Sequence, residues 1–258
     1  AFGDATIAAY GTNILVMAAA GDVIYPGGTA ENPNRMARIY STDNGETWHI
    51  EEMTRKVYAD SNSLIPDGVS SFFGSGKLAV DPDFNGTGKA RVYGAVLIKD
   101  AERSDNNYVL YTDDLGATWN ILGGSQTPVA FASEPKVDIL PNGQILLSAR
   151  RQGGRTFNVF TYSDKATGSG IWDKTVDGCD NGGKNGTDGE VMCVDAQKAD
   201  GTTVKLLLQS QPKGGASHYD RRDVTIWYKE VSPDATYISA DMADGWTQGK
   251  QLSTVLSS

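Results

Sequence analysis

Ser41-Thr42-Asp43-Asn44-Gly45-Glu46-Thr47-Trp48 and Thr112-Asp113-Asp114-Leu115-Gly116-Ala117-Thr118-Trp119 are two copies of one pattern, S/T-x-D-x-G-x-T-W, and each follows a tyrosine. Every fixed position has a physical task. The glycine lets a tight turn take positive φ. The Asp and Ser/Thr oxygens can bond the turn's own backbone. The Trp opens the next strand and buries a large ring. The pattern is a hairpin staple, and a repeated staple marks a repeated structural unit. A third, altered copy runs from Tyr162-Ser163-Asp164 through Gly168 and Gly170 to Trp172.

Outward from the staples, short runs rich in β-branched, leucine and aromatic residues alternate with Gly/Asn/Asp/Pro turns. They fall at 12–17, 36–40, 90–98, 108–112, 137–140, 144–149, 157–162, 204–208 and 224–229. Each has strand length and strand composition. Asn142-Gly143 between two such runs marks a hairpin. No long helical periodicity is present, and residues 233–244 leave room for one helical turn. Four-stranded units, each with one stapled hairpin, predict an all-β fold of the β-propeller type. The staple spacing predicts about four to five blades in one domain spanning 1–258.

Bulk composition narrows the function. The 258 residues carry a net charge of −9. That disfavours nucleic acid as a partner, because phosphate neutralisation needs a basic stripe. A few arginines in a pocket can still hold a small anion. No run of apolar residues is long enough for a membrane span. Two cysteines, Cys179 and Cys193, and two distant histidines, His49 and His218, give no zinc spacing. The cysteines fit a disulfide and a pair of thiols equally. Asn85-Gly86-Thr87 and Asn185-Gly186-Thr187 match the short glycosylation pattern. No signal peptide is visible at Ala1, and the chain reads as starting within structure.

The staple resembles the Asp box of the sialidases, where it is structural. A second stretch strengthens the resemblance: Ser133-Glu134-Pro135-Lys136-Val137, then Leu140-Pro141-Asn142-Gly143-Gln144-Ile145-Leu146-Leu147-Ser148-Ala149-Arg150. It is similar to the sialidase pattern E-P-x-V, hairpin, R. The resemblance implies that Glu134 polarises a tyrosine nucleophile and that Arg150 belongs to a triad gripping the sialic acid carboxylate. The chemistry suits those residue types. An arginine fork binds a carboxylate through two hydrogen bonds. A phenol with a pKa near 10 needs a carboxylate to take its proton, and sialidases use tyrosine where other glycosidases use a carboxylate.

Two further matches follow. Gln209-Ser210-Gln211-Pro212 leading to Arg221-Arg222-Asp223-Val224 resembles the segment of another triad arginine. Arg221 is its match, with Arg222 the alternative on a strand of period two. Phe2-Gly3-Asp4-Ala5 resembles the segment whose Asp bonds a ring hydroxyl of the sugar, which makes Asp4 a candidate beside a plain turn-forming role. Phe72-Phe73-Gly74 reads first as core packing.

The resemblance implies a six-bladed propeller when complete, of which this chain is a part. It implies an exo-α-sialidase acting on sialylated glycans by a retaining route, without metal or organic cofactor, in a secreted, periplasmic or cell-surface protein. The family's R-I-P segment, its acid Asp and its A-Y-S nucleophile segment have no match here. Asp22 and Tyr237 lack the matching context. The expectation is therefore a chain inactive alone, with acid and nucleophile elsewhere. A non-catalytic Asp-box propeller that binds glycans or proteins is the other reading.

Overall fold

The computed structural model describes residues 2–181, 186–212 and 222–253. Four sheets account for nearly all regular structure. The first contains β1 (Phe2–Tyr10), β2 (Asn13–Ala20), β3 (Arg35–Ser41) and β4 (His49–Glu52), in the order β4-β3-β2-β1. The second contains β5 (Ser70–Phe73), β8 (Arg91–Lys99), β9 (Asp105–Thr112) and β10 (Asn120–Ile121), in the order β10-β9-β8-β5. Two short strands join them: β6 (Gly76–Lys77) lies parallel to β1, and β7 (Ala79–Asp81) pairs with β8.

The third sheet runs β11 (Ser133–Ile139), β12 (Ile145–Arg151), β13 (Gly154–Asp164) and β14 (Ser169–Trp172), with β15 (Val176–Gly178) on β13. The fourth runs β16 (Val191–Gln197), β17 (Thr203–Pro212), β18 (Val224–Val231) and β19 (Thr247–Ser253). All nine runs read as strands lie on these elements. Among the described residues helix is confined to α1 (Thr54–Val57) and short 3-10 turns, one of them Ser239–Met242 inside the 233–244 stretch. Among the described residues no helix is long and apolar enough to cross a membrane.

The chain forms two compact units. One comprises Ala1–Pro135 with Ser163–Gly170, the other Lys136–Tyr162 with Ile171–Ser258. The first unit buries Leu15, Met17, Phe73, Val92, Val96, Leu110 and Trp119 in one cluster. Apart from Trp119, which precedes β10, these lie on strands of period two, and one face of each strand supplies this cluster. The second buries Leu146, Phe157, Val159, Leu207, Val231 and Met242. There Phe157 stacks on Trp246 with ring centroids 5.4 Å apart. Removing a buried ring of this kind costs about 3–5 kcal/mol.

The staples close the hairpins between the third and fourth strands of their sheets. In the first, the Asp43 carboxylate accepts from the Thr47 N–H at 2.9 Å and the Thr47 hydroxyl at 2.6 Å. The Ser41 hydroxyl donates to Asp43 at 2.7 Å and accepts from the Gly45 N–H at 2.8 Å. The second repeats this with Asp114, Thr118, Thr112 and Gly116, each bond within 0.1 Å of its counterpart. Asp164 keeps a reduced set, accepting from Ala166 N–H and the Thr167 hydroxyl. The fourth sheet retains a remnant: Asp234 N–H donates to Ser232 Oγ, and Trp246 precedes β19.

Two details depart from the pattern as read. The residue before each glycine is also left-handed, Asn44 at φ 60 and Leu115 at φ 58. Asn tolerates this region far better than Leu. Leu115 is held there by a buried side chain and by Arg38, whose Nε donates to the Leu115 carbonyl at 2.7 Å. The Trp positions also differ. Trp119 is 5% exposed and sits 5.5 Å from Phe73, whereas Trp48 is 46% exposed. The expectation of two buried rings therefore holds for one copy. Trp48 covers its own turn instead, with Nε1 donating to the Gly45 carbonyl at 2.9 Å.

Two measurements test this account. Asn44→Val places a β-branched residue at positive φ and should lose about 1–2 kcal/mol in urea unfolding, while Asn44→Gly stays near wild type. The Thr47 and Ser41 bonds lower the Asp43 pKa to about 2. A depressed folded pKa stabilises above the unfolded value near 4 and is lost as pH falls through the folded one. The Tm deficit of Asp43→Asn at neutral pH should thus narrow between about pH 4 and 2. A deficit constant over that window would contradict the bonding scheme.

Candidate functional site

The hairpin of β11 and β12 carries the two strongest candidates. Its turn bonds the Gly143 N–H to the Leu140 carbonyl at 2.8 Å, and the Leu140 N–H to the Gln144 carbonyl at 2.8 Å. Pro141 and Asn142 fill the two central positions, and Gly143 takes φ 85. Proline presets the first of these angles, and glycine takes the positive φ without strain. The turn is tied down from outside: Asn142 Nδ2 donates to the Ala235 carbonyl, and Gln144 and Tyr237 exchange bonds of 2.8 and 2.7 Å. Tyr237 is thereby a support of the hairpin, and its hydroxyl accepts from the Ser232 N–H.

Neighbouring antiparallel strands bring their far ends together. Glu134, second in β11, and Arg150, next to last in β12, stand at the ends away from this turn. Both are half-buried. Two residues beyond Glu134, Lys136 is buried and pairs through Nζ with Asp188 at 3.1 Å. Gly186 lies so close to β12 that a Cβ there would fall 3.3 Å from the Arg150 Cγ and 2.3 Å from the Arg151 carbonyl oxygen.

Asp4 is exposed and lies in β1. Asp4 and Ala5 together stand opposite the single residue Ala18, a β-bulge, and Asp4 takes φ 47. Bulges re-aim side chains and gather at sheet edges and active sites. Arg221 lies outside the described residues; its neighbour Arg222 is exposed just ahead of β18. Phe72 and Phe73 are buried, as the packing reading expects. Cys179 and Cys193 are free thiols.

Sequence patterns passed over Tyr25. Its ring meets Phe72 edge-on at 4.8 Å, and its hydroxyl bonds Asp105, which also pairs with Lys99. Burial, then the negative charges of Asp105 and Glu134, push the phenol well above its ordinary value. Tyr25 is therefore a neutral hydrogen-bond donor near Glu134 throughout the physiological range. Arg155, fully buried, was equally invisible in a Gly-Gly-Arg context that reads as a surface turn. No motif marks either residue.

No protein-family model matches the chain. Its sequence is similar to a sialidase of Paraclostridium sordellii, 27% identical over 194 residues, which is 73% of this chain and 44% of that protein. The fold is similar to the Hadza microbial sialidase Hz136, with a TM-score of 0.59 at 21% identity over 90% of this chain and 43% of that one. It is also similar to Trypanosoma rangeli sialidase in complex with the inhibitor DANA, with a TM-score of 0.64 at 15% identity over 99% of this chain and 39% of that one. The chain thus spans less than half the length of these relatives. The four sheets are part of a β-propeller of the sialidase type. Its Asp boxes, its Glu-Pro hairpin and this likeness in sequence and fold make the chain similar to the sialidases.

Proposed function

We infer that this chain forms part of an exo-α-sialidase that releases terminal sialic acid from glycans with retention of configuration. The observation that carries the reading is the Glu134–Arg150 hairpin. In a chain similar to a sialidase, the Glu-Pro strand and the Arg strand are neighbours, and both residues end them on the side away from the turn. Arg150 would take the sugar carboxylate through a paired, charge-assisted contact. Arg221 would supply a further guanidinium, and Asp4 would accept from a ring hydroxyl. Glu134 would draw the proton from an attacking tyrosine, which makes a neutral nucleophile workable beside an anionic sugar. The general acid and that tyrosine would come from sequence outside this chain. A role on extracellular glycoconjugates would put the protein outside the cytoplasm: secreted, periplasmic or at the cell surface.

Release of a fluorogenic aglycone from an α-sialoside by the full-length protein tests the reading. Arg150→Ala should raise KM and lower kcat/KM by about 10²-fold, since a charge-assisted pair to the substrate is lost. Glu134→Gln should act mainly on kcat, by about 10²–10³-fold, because its contribution is realised as the proton moves. Unchanged kcat/KM in Arg150→Ala would remove that residue from the site. A wild-type protein that binds sialosides without cleaving them would favour the non-catalytic propeller.

A further inference from the structure

Arg155 stands directly opposite Arg150 in the β12–β13 ladder. Directly paired residues share a face, with Cβ atoms about 4.5–5.5 Å apart. Like charges in that position repel, so a second arginine needs a reason to be there. It is fully buried, and a guanidinium cannot shed its proton to ease burial. Its N–H groups must find acceptors. Nε donates to Ser148 Oγ at 3.0 Å and Nη2 to the Ser148 carbonyl at 3.0 Å. The other bonds cross to the segment after β15: Nη1 to the Thr187 carbonyl at 3.1 Å and Nη2 to the Gly189 carbonyl at 3.3 Å.

That segment, Gly186 to Glu190, is held at several further points. Asp188 pairs with the buried Lys136. The Glu190 carbonyl accepts from Gln209 Nε2 at 3.1 Å, and the Glu190 N–H donates to Ser210 Oγ at 2.9 Å. Gln209 in turn accepts from the Ser148 hydroxyl at 2.6 Å. Its two glycines are close approaches: a Cβ at Gly189 would fall 2.0 Å from the Ser210 carbonyl oxygen, and Gly186 lies against the aliphatic stem of Arg150. The segment is thus clamped from beneath by one buried guanidinium, and its first residue forms a wall for Arg150.

We propose that Arg155 is a positioning residue for Arg150. It fixes the Gly186–Glu190 segment so that the segment holds the Arg150 stem in the orientation that presents its guanidinium to an anionic ligand. The Lys136–Asp188 pair ties down the same segment. This rests on the reading of Arg150 as the carboxylate-binding arginine. A lysine at 155 would keep the charge but offers a point charge where a planar fork reaches three backbone carbonyls and a hydroxyl.

The test compares two ligands of the full-length protein: a methyl α-sialoside with its carboxylate free, and the same sugar as its methyl ester. Wild type should prefer the free acid, and Arg150→Ala should erase the preference. Arg155→Lys should weaken the free acid by about tenfold and leave the ester unchanged, because a displaced guanidinium spoils only the carboxylate contact. A purely structural Arg155 would lower Tm and leave the preference intact, and that result in a folded variant overturns the proposal. Where Arg155→Lys fails to fold, Asp188→Asn decides. It removes a negative charge, so electrostatics alone would tighten the acid; weakening is the mark of a displaced segment, and unchanged or tighter binding overturns the proposal. Absence of any preference in wild type, or its survival in Arg150→Ala, would sink the carboxylate reading itself and this inference with it.

Discussion

A β-hairpin must reverse its chain within a few residues, and the backbone groups left over at the reversal need partners. Here one carboxylate and one hydroxyl supply them. Asp43 and Asp114 take the Thr N–H and hydroxyl that follow, while Ser41 and Thr112 bridge to the glycine N–H. The outer strand of each stapled sheet is returned by this arrangement, and β4 and β10 are too short to dictate their own register. With the outer strand placed, the inner strands can commit alternate side chains to the core. The hairpin carrying Glu134 and Arg150 belongs to the third sheet and is set instead by its own Pro141-Asn142-Gly143 turn.

The long strands were legible because burial imposes a composition on them. β8, with eight of its nine residues buried, and β12 read as apolar runs without ambiguity. The short strands β6, β7, β10 and β15 have two or three residues each, too few for a period to show. They exist because neighbours offer them a ladder, which is a tertiary fact. The left-handed Leu115 was hidden for a similar reason. Nothing local favours it; Arg38 and a buried pocket impose it.

Of the candidate site, the part encoded by a contiguous motif was readable. Glu134 and Arg150 sit on one hairpin, and their separation is set by a turn that the sequence spells out. The residues that surround them were not. Lys136 looks like an ordinary exposed strand lysine and is buried against Asp188. Arg155 looks like a surface cation and is the largest of the fully buried side chains among the described residues. Charge in a sequence suggests solvent, and only a three-dimensional supply of acceptors can overrule that suggestion. The bulge at Asp4 and Ala5, opposite Ala18, was likewise hidden, because a register shift is a property of the paired strands.

The staple bonds span no more than four residues in sequence. The carboxylate and hydroxyl bonds of each copy are therefore met within its own turn. Such a device can erode one repeat at a time. Asp43 and Asp114 keep the full set, Asp164 a reduced one, and the fourth sheet only Ser232, Asp234 and a tryptophan, with every sheet still formed. The fading runs in one direction along the chain. A sheet can thus keep its outer strand with few or none of the staple's bonds, so the hairpin's closure and the strand's place are separable properties.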